Sequence, residues 1–374
     1  MIKQSQKYGV ADFTKTLLLI LCTSSIFAMN AIRGASWNNS SFITMPIAFV
    51  IASVLLTVIF LSVTKSGKGG LISVYEESMG EAVGKIMSVL LTLVFIGAAV
   101  LPLIQFINVM HDLVYNVEIT SLAALVVIIL AVLCLSGMEG VMGAASVAVY
   151  IVLISILFML VTTSESFDVY RLFPMLGSYG SAVSATFSQS AYLLPAMLTP
   201  LIYRKNLQSD TSVRRVYKIA LPVAFVFCTA VHLSIDMVYS YNEFEEMKMP
   251  MYHLYHINLT QLGEGFTSRI DKLLFFMWLG GTLLTSALYI CTASDIFGRL
   301  FKKMDSRPVR IVFVIIVLCM CIIDSVSFVR FNELYTVLDW IKKNGGIILL
   351  PIVLVPSLIV LIKCRKGAGK GDEA

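Results

Sequence analysis

Two short runs of hydroxyl and amide side chains interrupt stretches of sequence that are otherwise apolar. The first run is Thr23–Ser25, and the second is Ser181–Tyr192, which Pro195 and Pro200 follow. Such side chains bind small polar molecules through hydrogen bonds. The sequence has no nucleophile elbow, phosphate-binding glycine loop or zinc motif. We therefore expect a binding protein rather than an enzyme, with no cofactor and no metal.

Two pairs of charged or titratable side chains stand out against the apolar background. His232 and Asp236 are four residues apart, so on a helix they share one face. A charge buried away from water is costly unless it is paired, and we interpret these residues as a structural pair, with a functional role as the alternative. Arg269 and Asp271 are interpreted as a second structural pair that anchors a loop, in preference to ligand contacts.

Composition places these side chains in a membrane protein. Apolar residues make up 58% of the 374 residues and charged residues 14%, whereas a soluble domain carries about 25% charged residues. A soluble protein of this size could not cover its surface with so few polar groups. The net charge of +5 is modest and shows no basic stripe, so no nucleic-acid partner is expected.

A membrane-spanning helix needs about 20 mostly apolar residues, and the sequence contains ten such segments. The sixth segment is the most polar of them. They lie near residues 13–32, 42–64, 86–109, 119–137, 141–163, 181–203, 216–240, 270–297, 309–328 and 346–363.

The distribution of charge predicts the orientation of these segments. Short basic loops stay preferentially on the cytoplasmic side. With the amino terminus inside, most of the 28 Lys and Arg residues fall in cytoplasmic segments, and the outer loops are acidic. Ten helices with both termini in the cytoplasm therefore fit the charge pattern.

The two polar runs occupy matching positions, in the first segment of each half of five. Interrupted helices at matching positions of two halves are typical of transporter binding sites, because a broken helix leaves backbone groups that must face protein, water or a ligand. The alternative is that the Ser and Thr hydroxyls bond to the preceding turn of an intact helix. We favour a binding site for the matched pair.

The chain resembles a known family from about Asp12 to Lys363. The most specific match is Met249–Gly281, which contains a Pro before a short helix, an Arg-x-Asp pair and a later Trp, at Arg269, Asp271 and Trp278. This pattern is similar to that of the GerAB-type spore germination proteins. These are the B subunits of germinant receptors, within the amino acid–polyamine–organocation superfamily.

Two weaker matches support the resemblance, Leu71–Met87 before the third segment and Leu172–Ala191 at the entry to the sixth. The chain departs from the family at two places. Thr23–Ser25 stands where members often carry Gly, and Met142 stands where Arg is common. These departures concern the first helix and the inner gate rather than the fold.

The resemblance implies an all-α integral membrane protein with the LeuT-like fold. The expected form is a single transmembrane domain, residues 1–374, built as a 5+5 inverted repeat. Helices 1–5 would cover about 13–163 and helices 6–10 about 181–363, with helices 1 and 6 broken. The resemblance further implies the bacterial spore inner membrane as the location, and A-type and C-type receptor subunits as partners beside the lipid bilayer.

The resemblance and the polar runs together predict a mid-membrane site between helices 1, 3, 6 and 8. A small amino acid would place its carboxylate on helix 1 and its ammonium group on helix 6, with polar side chains from helices 3 and 8 as walls. The expected site residues are Thr23, Ser24, Ser25, Gln105, Asn108, Ser184, Phe187, Ser188, Gln189, Tyr192, Thr282, Ser286 and Tyr289.

Two functions fit this site. The first is a germinant-sensing receptor subunit that binds an amino acid, and the alternative is an amino acid permease that works by alternating access. A membrane scaffold without a pocket is a third possibility. The fold cannot choose between sensing and transport, because one site serves both.

Overall fold

The computed structural model describes residues 8–31, 41–66, 69–113, 118–173, 175, 179–207, 210–239, 270–300, 306–330 and 351–364. These residues form ten α-helices and no strand. The helices are α1 Val10–Ala31, α2 Ser41–Lys65, α3 Leu71–Met79, α4 Glu81–Leu113, α5 Ile119–Thr163, α6 Tyr179–Ile202, α7 Asp210–Val238, α8 Ile270–Leu300, α9 Ser306–Arg330 and α10 Pro351–Cys364. The all-α class predicted from the sequence is confirmed.

Each of the ten predicted segments falls on one of these helices. The fourth and fifth segments both lie in α5, which has 45 residues and would measure about 68 Å as one rod, roughly twice the hydrocarbon thickness. Its helical geometry breaks at Gly137, where φ is 80° and ψ is 178°. Gly137 therefore divides α5 into two stretches, each long enough for one crossing.

Burial separates the described helices into an outer and a central set. α2, α4, α5, α7 and α9 are long and apolar enough to cross a membrane. In α1, α6 and α8, residues 19–26, 193–203 and 281–294 are buried at every position. The central helices can carry polar side chains because protein, and not lipid, surrounds them.

Contacts among the helices form two groups. α1, α2, α6 and α7 pack on one another, and α4, α5, α8 and α9 form a second group. α1 also packs against α5 and α8, so it joins the two groups. The central helices α1, α6 and α8 thus meet at the boundary between the two groups. When two helix groups move relative to each other, a ligand binds at such a boundary.

The predicted interruptions of helices 1 and 6 are wrong. α1 and α6 are each continuous helices. The Thr23 hydroxyl donates to the Leu19 carbonyl over 2.8 Å, and the Thr186 hydroxyl of α6 donates to the Ala182 carbonyl over 2.8 Å. The hydroxyls bond to the preceding turn while the peptide groups stay in the helical ladder. Main-chain groups at these positions are therefore not free for a ligand.

The segment that precedes the third crossing forms the short helix α3. Its apolar residues Leu71, Ile72, Val74 and Tyr75 are buried. The Tyr75 hydroxyl lies 2.8 Å from Ser357 Oγ of α10, which satisfies a phenol that would otherwise be buried alone. α3 therefore ties the last helix to the rest of the structure.

We expect Gly137→Ala to destabilise the protein by about 1–3 kcal/mol, because this backbone region is essentially restricted to Gly. A Cβ atom there would also lie 2.9 Å from Arg310 Nη1. Thermal unfolding of the purified protein in detergent measures the effect. Gly143→Ala is the control, since a Cβ at Gly143 meets nothing within 4 Å. Equal unfolding temperatures for the two variants would refute the role of Gly137.

Candidate ligand site between α1, α4, α6 and α8

The structure links the polar run of α1 to α8 through one direct contact. Ser24 Oγ and the Tyr289 hydroxyl lie 3.1 Å apart, and both side chains are buried. The Tyr289 ring packs edge-on against Phe95 of α4 with centroids 5.8 Å apart. Ser24 and Tyr289 are thus brought together from opposite helix groups.

The other predicted residues of α1 and α8 are buried but make different contacts. Thr23 and Ser25 donate to carbonyl groups of their own helix, Ser25 to Cys22 over 2.8 Å. The Ser286 hydroxyl donates to the Ala99 carbonyl of α4 over 3.0 Å, and Thr282 is fully buried. Two of these hydroxyls, Thr23 and Ser25, are therefore satisfied within α1, and the third, Ser286, connects α8 to α4. They are satisfied by protein groups rather than directed at an unfilled space.

Predicted residues of α6 divide between two faces of the helix. Ser188 and Gln189 are buried, whereas Ser184 and Phe187 are exposed and Tyr192 is half-buried. Because helical neighbours three and four residues apart share a face, Ser184 and Ser188 would be expected together. The structure exposes Ser184 and buries Ser188.

Gln189 is the most unusual side chain of the candidate site. It is fully buried, and within the described residues neither its amide oxygen nor its amide nitrogen has a hydrogen-bond partner. The buried Oε1 atom of Gln105 on α4 has no partner among them either, and α4 contacts α6. Each unsatisfied group costs about 1–3 kcal/mol, so each amide marks a position where a bound polar ligand or water would supply the missing hydrogen bonds.

His232 and Asp236 make contacts with the helices that flank α7. His232 Nε2 lies 3.4 Å from the Ser25 carbonyl of α1. Asp236 accepts hydrogen bonds from the Ser41 hydroxyl at 2.8 Å and from the Phe42 amide at 2.7 Å. Asp236 therefore caps the start of α2, where the helix dipole favours a carboxylate.

The second predicted charge pair, Arg269 and Asp271, falls on residues that the structure does not describe in full. Arg269 and the side chain of Asp271 are not among the described residues. Asn108, which was predicted to line the site from α4, is half-buried.

A polar cluster that the sequence analysis missed lies between the ligand site and the end of the bundle at which α1 begins. We call Tyr8, Tyr203, Asp295 and Arg310 the inner cluster. The Tyr203 hydroxyl donates to Asp295 Oδ2 over 2.7 Å, and Arg310 Nη2 lies 3.3 Å from Asp295 Oδ1. The Tyr8 ring packs edge-on against Tyr203 with centroids 5.8 Å apart. These contacts join the amino terminus, α6, α8 and α9.

The inner cluster keeps Tyr8 in its neutral phenol form. Partial burial, followed by the nearby charges of Asp295 and Glu139, raises the pKa of Tyr8 to about 12.

Asp295 is six residues after Tyr289 on α8, or about 9 Å along the helix. A sequence signal was present, since Asp295 and Arg310 are charges of opposite sign inside the eighth and ninth apolar segments.

Comparison with solved structures defines the class of protein. MhsT in complex with L-phenylalanine has a TM-score of 0.70 at 11% identity, covering 96% of this chain and 98% of that one. A Na⁺-coupled sialic acid symporter in a substrate-bound outward-open state has a TM-score of 0.62 at 11% identity, covering 92% and 78%. The manganese transporter of Eremococcus coleocola, in complex with an aromatic bis-isothiourea substituted compound, has a TM-score of 0.56 at 10% identity, covering 94% and 76%.

The fold is therefore that of the LeuT-type membrane transporters, as the sequence predicted, and the chain is a multi-pass membrane protein. The family described as spore germination protein matches residues 13–329. This chain belongs to that family, and the predicted GerAB-type resemblance is confirmed. No curated protein matches the sequence.

We expect Asp295 and Arg310 to be energetically coupled by about 1–3 kcal/mol, because their side chains are only 21% and 11% exposed. A double-mutant cycle of Asp295→Asn and Arg310→Gln, followed by unfolding in detergent, measures the coupling. The control cycle uses Glu81→Gln and Lys85→Gln, whose ion pair at 2.7 Å is 72% and 50% exposed and should contribute about 0.5 kcal/mol or less. Additive effects at Asp295 and Arg310 would show that the inner cluster is not a coupled unit.

Proposed function

We propose that the chain is the germinant-sensing subunit of a spore germinant receptor and binds a small amino acid between α1, α4, α6 and α8. The observation that carries this proposal is the fully buried amide of Gln189, which has no protein partner among the described residues. Membership of the spore germination family supports the sensing role. The similar fold of MhsT, crystallised in complex with L-phenylalanine, supports an amino acid as ligand.

The chemistry of the site favours a ligand without net charge. Gln189 offers one acceptor and two donor hydrogens, Gln105 offers an acceptor, and Ser24 and Tyr289 offer hydroxyls. None of these side chains is charged, and a net ionic ligand would be buried here without compensation. A zwitterion matches them, with its carboxylate on the Gln189 amide and the Tyr289 hydroxyl. Its ammonium group would then face the amide oxygens.

In the proposed site, side chains make the ligand contacts that were predicted for backbone groups. Because α1 and α6 are continuous, their peptide groups are used within the helices. The revised site therefore depends on carboxamide and hydroxyl groups. This shift keeps the predicted helices but places the binding energy on Gln105, Gln189 and the Ser24–Tyr289 contact.

Sensing requires that binding changes the balance between two conformations. A ligand shifts such an equilibrium only by its differential affinity for the two states. We propose that the ligand site and the inner cluster, both carried by α8, change together and that A-type and C-type partner subunits respond. The protein would lie in the spore inner membrane with both termini in the cytoplasm, where most of its Lys and Arg residues then fall.

An amino acid permease is the second candidate function. The observation that favours it is the fold shared with a Na⁺-coupled sialic acid symporter and with a manganese transporter, which cover 92% and 94% of this chain. The same site would serve transport if the inner cluster opened in each cycle. The two functions differ in whether the ligand is released on the other side.

We expect Gln189→Leu to abolish the ligand response without lowering stability. The substitution removes the ligand's hydrogen bonds but also removes buried unsatisfied groups, so the unfolding temperature should stay equal or rise. Germination of spores that carry the variant, together with ligand-induced thermal shifts of the purified protein, tests this. Thr186→Ala on the same helix is the control, because the Thr186 hydroxyl is satisfied by Ala182. A normal response in Gln189→Leu would exclude this residue from the site.

If the protein is a receptor subunit, we expect the purified protein in liposomes to bind the active amino acid without accumulating it inside the liposomes. Uptake of the labelled amino acid is measured with and without Na⁺ and proton gradients. The Na⁺-coupled sialic acid symporter, reconstituted in parallel and assayed with labelled sialic acid, serves as the positive control. Gradient-driven accumulation that Gln189→Leu abolishes would favour the permease instead.

A further inference from the structure

An apolar groove runs along the outer surface between α4 and α9. Its volume is about 540 Å³. Thr92 is its one polar side chain, and the Thr92 hydroxyl is satisfied by the Ser88 carbonyl at 2.8 Å. The groove is lined by Val89, Thr92, Leu93, Ile96, Gly97, Phe297, Pro308, Val309, Val312, Phe313, Ile316 and Met320.

The groove opens sideways toward lipid. Leu93 is 59% exposed and Val312 is 52% exposed, and both belong to helices that are apolar enough to cross a membrane. At Gly97 a Cβ atom would meet nothing within 4 Å, so the missing side chain contributes to the open space. An occupant of this groove must therefore be apolar and must enter from the bilayer.

The length of the groove fits one leaflet. From Pro308 to Met320 the chain rises about 18 Å, whereas half of the hydrocarbon core is about 15 Å thick and a crossing helix needs about 30 Å. The groove begins at Pro308 in the first turn of α9 and at Val89 in the third turn of α4. It therefore has the length of a lipid tail that enters from this side, and it is too short for a transmembrane helix.

Two arginines lie close in sequence to groove residues, at the level where α8 ends and α9 begins. Arg307 is exposed and directly precedes Pro308, and Arg299 is half-buried two residues after Phe297. Arginine binds phosphate through paired N–H donors, and basic residues at this level attract anionic lipid headgroups. We propose that the groove binds an anionic phospholipid, with one acyl chain between α4 and α9 and the phosphate at Arg299 and Arg307.

A lipid in this position would contact the helices that carry the inner cluster. Phe297 and Phe313 line the groove and pack edge-on with centroids 5.6 Å apart. Asp295 and Arg310 lie two and three residues from these rings on the same helices. The lipid site is separate from the amino acid site and does not depend on the proposed sensing function.

Native mass spectrometry of the purified full-length protein in detergent tests the proposal. Phosphatidylglycerol and phosphatidylcholine with identical palmitoyl and oleoyl chains are added at equal concentration. We expect selective retention of phosphatidylglycerol by the wild type, reduced about fivefold by each of Arg299→Gln and Arg307→Gln. Gly97→Leu fills the groove and should remove the bound lipid of either headgroup.

Gly143→Leu is the matched control, because Gly143 is an exposed helical glycine of α5 with open space around it, and it should retain phosphatidylglycerol like the wild type. Equal retention of the two lipids by the wild type would overturn the headgroup site. Undiminished lipid in Gly97→Leu would overturn the tail site and indicate surface lipid only. If Gly97→Leu does not accumulate, the two arginine variants decide the outcome through the ratio of the two lipids.

Discussion

Backbone groups inside a membrane must be satisfied within the protein, and this requirement organises the whole structure. It explains why the described chain is helical, and why the polar side chains of α1, α6 and α8 are enclosed by other helices. Hydroxyls that sequence patterns would assign to broken helices are instead bonded to the preceding turn, as at Thr23 and Thr186. Among the described residues, both amide atoms of Gln189 are buried without a hydrogen-bond partner, and so are Gln105 Oε1, Thr229 Oγ1 and His232 Nδ1.

The α8 helix connects the two polar regions of the protein. Toward one end, Tyr289 contacts Ser24, and Ser286 contacts the backbone of α4. About two turns later, Asp295 accepts from Tyr203 and pairs with Arg310. A movement of α8 relative to α1 would alter both sets of contacts. This shared helix provides a physical route by which an occupied ligand site could change the contacts near the amino terminus, whether the result is a signal or transport.

The fold alone does not separate a sensor from a transporter. Both need a central site and a rearrangement of two helix groups, and the similar structures share only about a tenth of their residues with this chain. Under the function proposed above, a sensor and a transporter would differ in whether the inner cluster opens. Four elements meet there, and the aromatic packing of Tyr8 on Tyr203 adds to the ion pair. A cluster that stays closed in the liganded state suits a sensor, whereas one that opens suits a permease.

The sequence by itself determined the membrane class, the positions of ten segments and the family, because these follow from apolar run length and local motifs. The polar runs and the family resemblance together also predicted Gln105, Gln189, Ser24 and Tyr289 as site residues. The sequence did not determine that α1 and α6 are continuous, because a hydroxyl in an apolar run is equally compatible with a break and with a bond to the preceding turn. Nor did it reveal the inner cluster, since Tyr8, Tyr203, Asp295 and Arg310 come from four distant places. Only tertiary packing could decide which polar groups find partners and which remain unsatisfied.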